Sequence, residues 1–507
     1  MSTAEADTGR TVTTNIPARL DRLPWSRWHW TIVIGLGTVW ILDGLEVTVV
    51  GNIASRLSEP GSGLPITSGQ ITGLAAALYV AGACVGALFW GRLTDRFGRK
   101  KLFMITLVVY LAATALTAVS FSTWWFFAFR FLTGFGIGGE YAAINSAIDE
   151  LIPAAYRGRV DLIINGSFWL GAVGGSLLSI VALNTDIFAK DVGWRLTFAL
   201  GAVLALVILL VRRHVPESPR WLLIHGRDRE AEEIVTSIEE RVEAEKGEPL
   251  DRPQSEITIN QRHSVTFREI ARTLFTDYRK RSVLGFSLFI GQAFLYNAIT
   301  FGFGAILTKF FDVPTGDTGY YFAVIAIGNF CGPLLLGKLF DTVGRRVMIS
   351  GTYLLSGILL FGTAWLFDQG SLSAGTLTAC WCAVLFFASA GASSAYLTVS
   401  EIFPMETRAM SIAFFYALGT AAGGISGPLL FADLTSTGKV ADTVLAFQIG
   451  AGLMVAAGLV AAFLAVRAER RSLEDIAKPL TAAASSAASS VRGKTGGSKP
   501  GSSPATA

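Results

Sequence analysis

The sequence predicts an all-α membrane protein, twelve transmembrane helices arranged as two six-helix halves. Three observations predict it. The 507 residues are 51% hydrophobic and only 16% charged, where a soluble protein carries about a quarter charged residues. The apolar residues gather into runs of roughly the 17 to 25 residues that a helix needs to cross a bilayer. The chain also repeats short motifs at about half its length.

The predicted spans, taken in order, are approximately 28–51, 70–90, 102–120, 124–148, 160–183 and 195–212 in the first half. Those of the second half are approximately 283–308, 319–339, 347–367, 375–399, 411–432 and 442–466. The first run is long and follows a polar leader, 1–27, so it reads as a true span and not a cleaved signal. The halves, 28–212 and 282–466, are joined by a charged linker, 213–281. Within it "RDREAEEIVTSIEERVEAEK" places Ala231, Ile234, Ile238 and Val242 at helical spacing, which predicts an amphipathic helix against the membrane face of the protein. The tail, 467–507, turns to Ala, Ser, Gly and Lys from about Lys478 and is expected to be mostly disordered.

Charge sets the expected orientation. "GRLTDRFGRKK" after span two holds five Lys and Arg, and "GKLFDTVGRR" after span eight holds three. Loops of the other side are poor, with Arg56, Lys190, Lys309 and Lys439. The positive-inside rule then places the rich loops and both termini in the cytoplasm of a plasma or bacterial inner membrane. The net charge of +4 is too small to argue for a nucleic-acid partner. Cys84, Cys331, Cys380 and Cys382 all lie in apolar runs. They read as small buried hydrophobes, with no metal site expected.

The repeats give the organisation. "GRLTDRFGRK" at 91–100 returns as "GKLFDTVGRR" at 337–346, and "ELIPAAYRGR" at 150–159 is echoed by "EIFPMETRAM" at 401–410. Parallel halves of this kind suit transport by rocking about a central site. "GFGIGG" at 134–139 also fits a dinucleotide-binding G-x-G-x-x-G, but it lies inside a span, where small residues serve close helix packing instead. There is no G-x-x-x-x-G-K-[ST] loop, which argues against an ATP-driven enzyme.

With these residues the chain resembles the major facilitator superfamily over nearly its whole length. The doubled G-x-L-x-D-x-x-G-R-K loop is that superfamily's signature, and "RFLTGFGIGG" at 130–139 resembles its fourth-helix motif. "PESPRWLL" at 216–223 and "ERRSLEDIA" after span twelve resemble the sugar-porter and metabolite:proton symporter group. The departures fall where substrate is chosen. The paired Gln of sugar porters is a single Gln292 with Asn297, the Gln-rich fifth-helix patch is "NGSFWLGAVGG", and a Gly-Pro-x-x-Trp signature is missing from span ten. "DGLE" and "GGEY" look more like carriers of organic acids or organic ions.

Two carboxylates in span one, Asp43 and Glu46, demand a reason, because charge is costly in hydrocarbon. They lie roughly 300° apart by rotation and share a face. A proton site is the functional reading, and a buried acid held by a structural partner is the other. The resemblance makes Asp43 the counter-charge of Arg130, a pair that protonation would break. Glu140 lies ten residues beyond Arg130 on another face, as a cavity acid or a tie to the gate. Asp95, Arg99, Glu150 and Arg157, with Asp341, Arg345, Glu401 and Arg408, are expected to clasp the cytoplasmic gate. Asn165, Trp169, Gln292, Asn297, Asn329, Tyr396 and Tyr416 are the substrate-cavity candidates. The resemblance implies proton-coupled symport of a small polar metabolite such as a sugar, polyol or organic acid, by a monomer in the lipid bilayer. No cofactor is expected beyond the coupling proton. Proton-antiport efflux, a uniporter and a non-transporting sensor are the alternatives.

Overall fold

A backbone in lipid must satisfy its own polar groups, which leaves helices for the apolar runs. The computed structural model describes residues 11–67, 70–212, 216–253, 255–260, 267–314 and 317–480. Most of the tail, with its expected disorder, lies outside the described residues.

The first half contains α2 (Arg27–Leu57), α3 (Ala76–Phe97), α4 (Arg99–Ala118), α5 (Thr123–Leu151), the pair α6 (Arg157–Gly166) and α7 (Phe168–Ala182), and α8 (Gly193–Arg212). The second contains α12 (Arg279–Phe311), α13 (Thr318–Thr342), α14 (Arg345–Asp368), α15 (Ala374–Ile402), α16 (Arg408–Ser436) and α17 (Val440–Leu464). Among the described residues, eleven helices are long and apolar enough to cross a membrane, with α6 and α7 together making one. The twelfth, α5, falls short because it buries Arg130, Glu140, Asp149 and Glu150 along one helix.

Most helices outlast the apolar runs that announced them. α5 runs to Leu151 and α15 to Ile402, because the polar residues at these ends are buried in the protein and need no water. The fifth span is broken at Ser167, whose hydroxyl turns back to the carbonyl of Ile164 at 2.6 Å.

Small residues set the helix approaches. A side chain at Gly134 or Gly138 of α5 would run into the α3 backbone at Tyr79 and Ala83, and one at Gly44 of α2 into Phe168. "GFGIGG" is therefore a packing seam. The halves meet along α3 against α16 and α6 against α13. There a Cβ on Gly91 would lie 2.6 Å from that of Ala413, and one on Gly166 2.7 Å from Pro333. Both repeated loops turn on a glycine with positive φ, Gly98 at 99° and Gly344 at 117°, a conformation other residues adopt only with strain. Among the cysteines only Cys84 is buried; the other three are half-buried, Cys382 lying against Gly328 of α13, and all are free.

The parts outside the spans form a cap on the charged side. α9 (Pro219–Ile224) starts on Ser218, which accepts the Trp221 amide at 3.1 Å with Pro219 as first residue. α10 (Asp228–Lys246) buries Ala231, Val235, Ile238 and Val242. Ile234 stays half-buried, one position off the predicted stripe. α10 packs on α9 and on α1 (Ile16–Asp21) of the leader. Beside it, β1 (Thr11–Thr14) pairs antiparallel with β2 (Ile257–Asn260), Thr11 opposite Asn260. This ribbon is an unforeseen exception to an otherwise helical chain. The short helices α11 (Phe267–Arg272) and α18 (Leu473–Ile476) complete the cap.

Candidate functional site

Between the halves lies a cavity of about 400 Å³, within the usual range for a small-molecule site. It reaches Asn52 near the end of α2 and Thr318 at the start of α13, the helix ends farthest from the charged loops. Asn165, Trp169, Gln292, Asn297, Tyr396 and Tyr416 all line it. Asn329 does not. It is fully buried and accepts the Tyr296 hydroxyl at 3.0 Å, so Tyr296 takes the cavity position in its place.

Asp43 is the charged residue among the described residues lining this space. Its carboxylate accepts two phenol hydrogens, from Tyr79 of α3 at 2.7 Å and from Tyr141 of α5. The Tyr141 ring stacks on Trp40 with centroids 4.7 Å apart. It also meets Tyr416 and Tyr396 of the other half edge-on, at 4.8 and 6.3 Å. These four rings close the cavity on the side of the charged loops.

Arg130 does not pair with Asp43, as the resemblance implied. Its Nη1 lies 2.6 Å from Glu46, which also accepts the Thr114 hydroxyl at 3.1 Å. Successive spans alternate in direction. Along α2 the order is Asp43, then Glu46; along the opposed α5 it is Arg130, then Tyr141. Antiparallel packing therefore matches Glu46 with Arg130 and Asp43 with Tyr141. Neither Glu46 nor Arg130 lines the cavity, and the Arg130 guanidinium stacks over Tyr79 at 4.6 Å. Glu140 is fully buried and likewise not a lining residue. It is Tyr141, eleven residues or about three turns from Arg130, that returns to the Arg130 face.

The charged loops form two related clasps. Arg99 lies 2.9 Å from Glu150 and 3.5 Å from Asp95. In the second half Arg345 grips Glu401 at 2.9 and 3.0 Å and Asp341 at 2.8 Å. Each aspartate then crosses to the opposite half. Asp341 accepts the amides of Gly158 and Arg159 at 3.0 and 2.9 Å, and Asp95 accepts that of Met410 at 3.0 Å. Both reach the first turn of a helix, α6 or α16, where the helix dipole favours an anion. Arg408 crosses to Glu150 at 3.3 Å and Arg157 to Glu401 at 3.7 Å.

Several participants carried no mark of their own in the sequence. Arg220 of "PESPRW" donates to the carbonyl of Glu150 at 2.9 Å and to Glu474 of the exit sequence at 3.0 Å. Asp21 of the leader reaches Arg157 and Arg220 at 3.3 and 3.2 Å. Glu217 accepts the Arg99 amide at 2.9 Å. Burial pushes its carboxyl up, against the amides that donate to it.

Comparison with known proteins places this geometry. Residues 31–479 match the family described as "Sugar (and other) transporter". A niacin transporter of Acinetobacter baylyi is 28% identical, over 82% of this chain and 89% of its own. An arabinose-proton symporter of Bacillus subtilis is 26% identical, over 80% of this chain and 87% of its own. The fold is similar to that of the proton:xylose symporter XylE bound to 6-bromo-6-deoxy-D-glucose, with TM-score 0.72 and 20% identity over 88% of this chain and 98% of that one. XylE is a xylose transporter from E. coli. All three are transporters. This chain, with its doubled six-helix halves, central cavity and paired clasps, has the major facilitator fold and belongs to the sugar (and other) transporter family.

Proposed function

We propose that the protein takes up a small polar metabolite together with protons, by alternating access, as a monomer in the cell membrane with both termini in the cytoplasm. The observation that carries this reading is the position of Asp43. Among the described residues it is the charged group that lines the cavity, and through Tyr141 it touches the rings closing that cavity. A proton arriving from the open side neutralises a carboxylate that hydrogen-bonds two phenols. Asp43 then loses acceptor strength, Tyr141 is released, and the ring cluster can part toward the clasps. Glu46 and Arg130 hold α2 to α5 throughout, and the clasps open last. The named activities of the niacin transporter and the arabinose-proton symporter support a metabolite substrate and a coupling proton.

The test uses purified protein in liposomes carrying a pH-sensitive dye, with candidate substrates added in turn. Uptake should acidify the lumen, and Asp43→Asn should abolish accumulation while leaving exchange of labelled substrate across the membrane. Accumulation undiminished in Asp43→Asn would sink the assignment. Equilibration without proton movement in the wild type would make the protein a uniporter.

A further inference from the structure

We propose that Asp161 is a second proton site, which holds a proton while the clasps are closed and gives it up on the charged side when they open. This rests on the reading of Asp43 as the site where the proton enters. Two ladders of four-residue spacing carry the argument. Tyr141, Asn145 and Asp149 follow one another along one face of α5, and Asn165, Asp161 and Arg157 along one face of α6. The ladders face each other and run antiparallel. The Asn165 amide reaches the Asn145 side chain at 3.0 Å, and Arg157 lies 3.9 Å from Asp149. At one end Tyr141 holds Asp43 and Asn165 lines the cavity. At the other, Arg157 belongs to the clasps. A buried polar seam thus links the cavity to the charged side, and Asp161 sits midway along it.

Asp161 is fully buried, and neither of its carboxyl oxygens has a hydrogen-bond partner among the described residues. The Asn165 amide beside it goes to Asn145 and, at 2.9 Å, to the backbone carbonyl of Asp161. Of the charged groups around it, Asp149 of α5 and Glu401 of α15 are acids, and Arg345 of α14 is engaged by Glu401 and Asp341. Asp341 of α13 in turn accepts the amides of Gly158 and Arg159. α2 meets α6 through an uncharged group, the Gly37 carbonyl, which accepts the Ser167 hydroxyl. A carboxylate so placed, with Arg345 already engaged, takes a proton instead of keeping its charge. Its cover comes from the other half, since α6 packs on α13 and α15. Parting of the halves on that side admits water to Asp161; its O–H bond breaks and the proton goes to that water. Asp43, neutral by then, passes its proton along the wet seam to the ionised Asp161, which restores both groups before the clasps close. One proton enters at Asp43 and one leaves at Asp161 in each cycle.

The experiment measures the distance between spin labels at Arg96→Cys and Thr342→Cys, on the clasp side of each half, in the purified full-length protein without substrate. It is run in an Asp43→Asn background, which removes the titration of Asp43 and, on the reading above, favours parting of the ring cluster. The closed state holds a proton on Asp161 that the open state loses, so raising the pH favours opening. The ratio of open to closed should grow by up to about tenfold per pH unit above the ordinary aspartate value of about 3.9. Adding Asp161→Asn, neutral at every pH, should hold the ratio flat and shift it toward closed. If that variant fails to fold, Asp161→Ala removes the same acid. A ratio flat with pH while Asp161 is intact, or a pH response that survives its replacement, would overturn the proposal. Were Asp43→Asn no more open than the wild type at neutral pH, the premise about Asp43 would fall. A response still lost with Asp161 would then keep Asp161 as a proton site in its own right.

Discussion

Asp43 and Glu46 stand one turn apart on α2, yet they end in different company. Glu46 answers a guanidinium in a site with no water to take its place, since Arg130 and Glu46 are 2% and 3% exposed. Breaking such a pair from one side leaves an uncompensated buried charge and costs about 3–5 kcal/mol. Glu46→Gln is therefore expected to lower the melting temperature in detergent sharply, and Asp43→Asn much less. Replacing both partners, Glu46→Gln with Arg130→Met, should recover much of the loss. A larger loss for Asp43→Asn than for Glu46→Gln would show that Arg130 answers Asp43 after all. The two carboxylates were legible as a functional feature, because a charge in an apolar run is costly and marks a pathway or a partner. Their partners were not. Helical rotation puts both acids on one face, and only the antiparallel order of α2 and α5 decides which meets Arg130. Tyr141 was within the quoted "GGEY", but attention falls on the acid beside it, whereas the three-turn spacing from Arg130 selects the phenol.

At the scale of elements, the spans, the doubled loops and the amphipathic α10 could be read from apolar runs, repeats and helical spacing, while the rest of the cap could not. β1 and β2 are four residues each and lie some 245 residues apart, too short and too distant for a pattern to pair them. The docking of the leader is ionic. Glu239 of α10 takes Arg19 at 2.6 Å and Arg22 at 2.5 Å, Glu232 also meets Arg19, and Glu245 accepts the Arg27 amide at 2.8 Å. Burial alone would raise the Glu239 carboxyl, but the hydrogen bonds from Arg19 and Arg22 outweigh it and hold it below the usual range. A carboxyl depressed in the folded state stabilises docking fully above its unfolded value of about 4.3 and loses that contribution as pH falls through the depressed one. A spin label at Thr13→Cys, on an exposed position of β1, should stay immobile at neutral pH and loosen only in that acid window. Arg19→Ala should loosen it already at neutral pH. A label equally mobile in both proteins would show that the ion pairs do not hold the leader.

At the scale of the molecule, the clasps describe a state closed on the charged side and open on the other. Two features hold it closed, and they differ in kind. The first is electrostatic: Asp95 and Asp341 each cap a helix of the opposite half, and hydrogen bonds to a charged acceptor are worth about 1.5–3 kcal/mol each. The second is steric. α3 and α16 approach so closely at Gly91 that an added Cβ would press on Ala413 at 2.6 Å and on the Ala409 carbonyl at 3.3 Å. Each can be removed without touching the cavity. The pair Asp95→Asn and Asp341→Asn keeps size and weakens the caps together with the ion pairs to Arg99 and Arg345 inside each half, so it should shift the closed-to-open ratio by about tenfold or more, the ratio that 1.4 kcal/mol sets. Gly91→Val should act in the same direction by wedging the seam, with every charge in place. Spin labels at Arg96→Cys and Thr342→Cys, exposed at the clasp ends of α3 and α13, read the separation of the halves on that side. The wild type should give one short distance, and both variants a second, longer population. Those variants should also let a reagent from the charged side reach a cysteine placed at Ser393 in the cavity. A longer population with Gly91→Val alone would make packing the lock and the aspartates secondary. An unchanged single distance in both would mean that the halves are held together elsewhere, with the Arg408–Glu150 and Arg157–Glu401 pairs as the remaining ties.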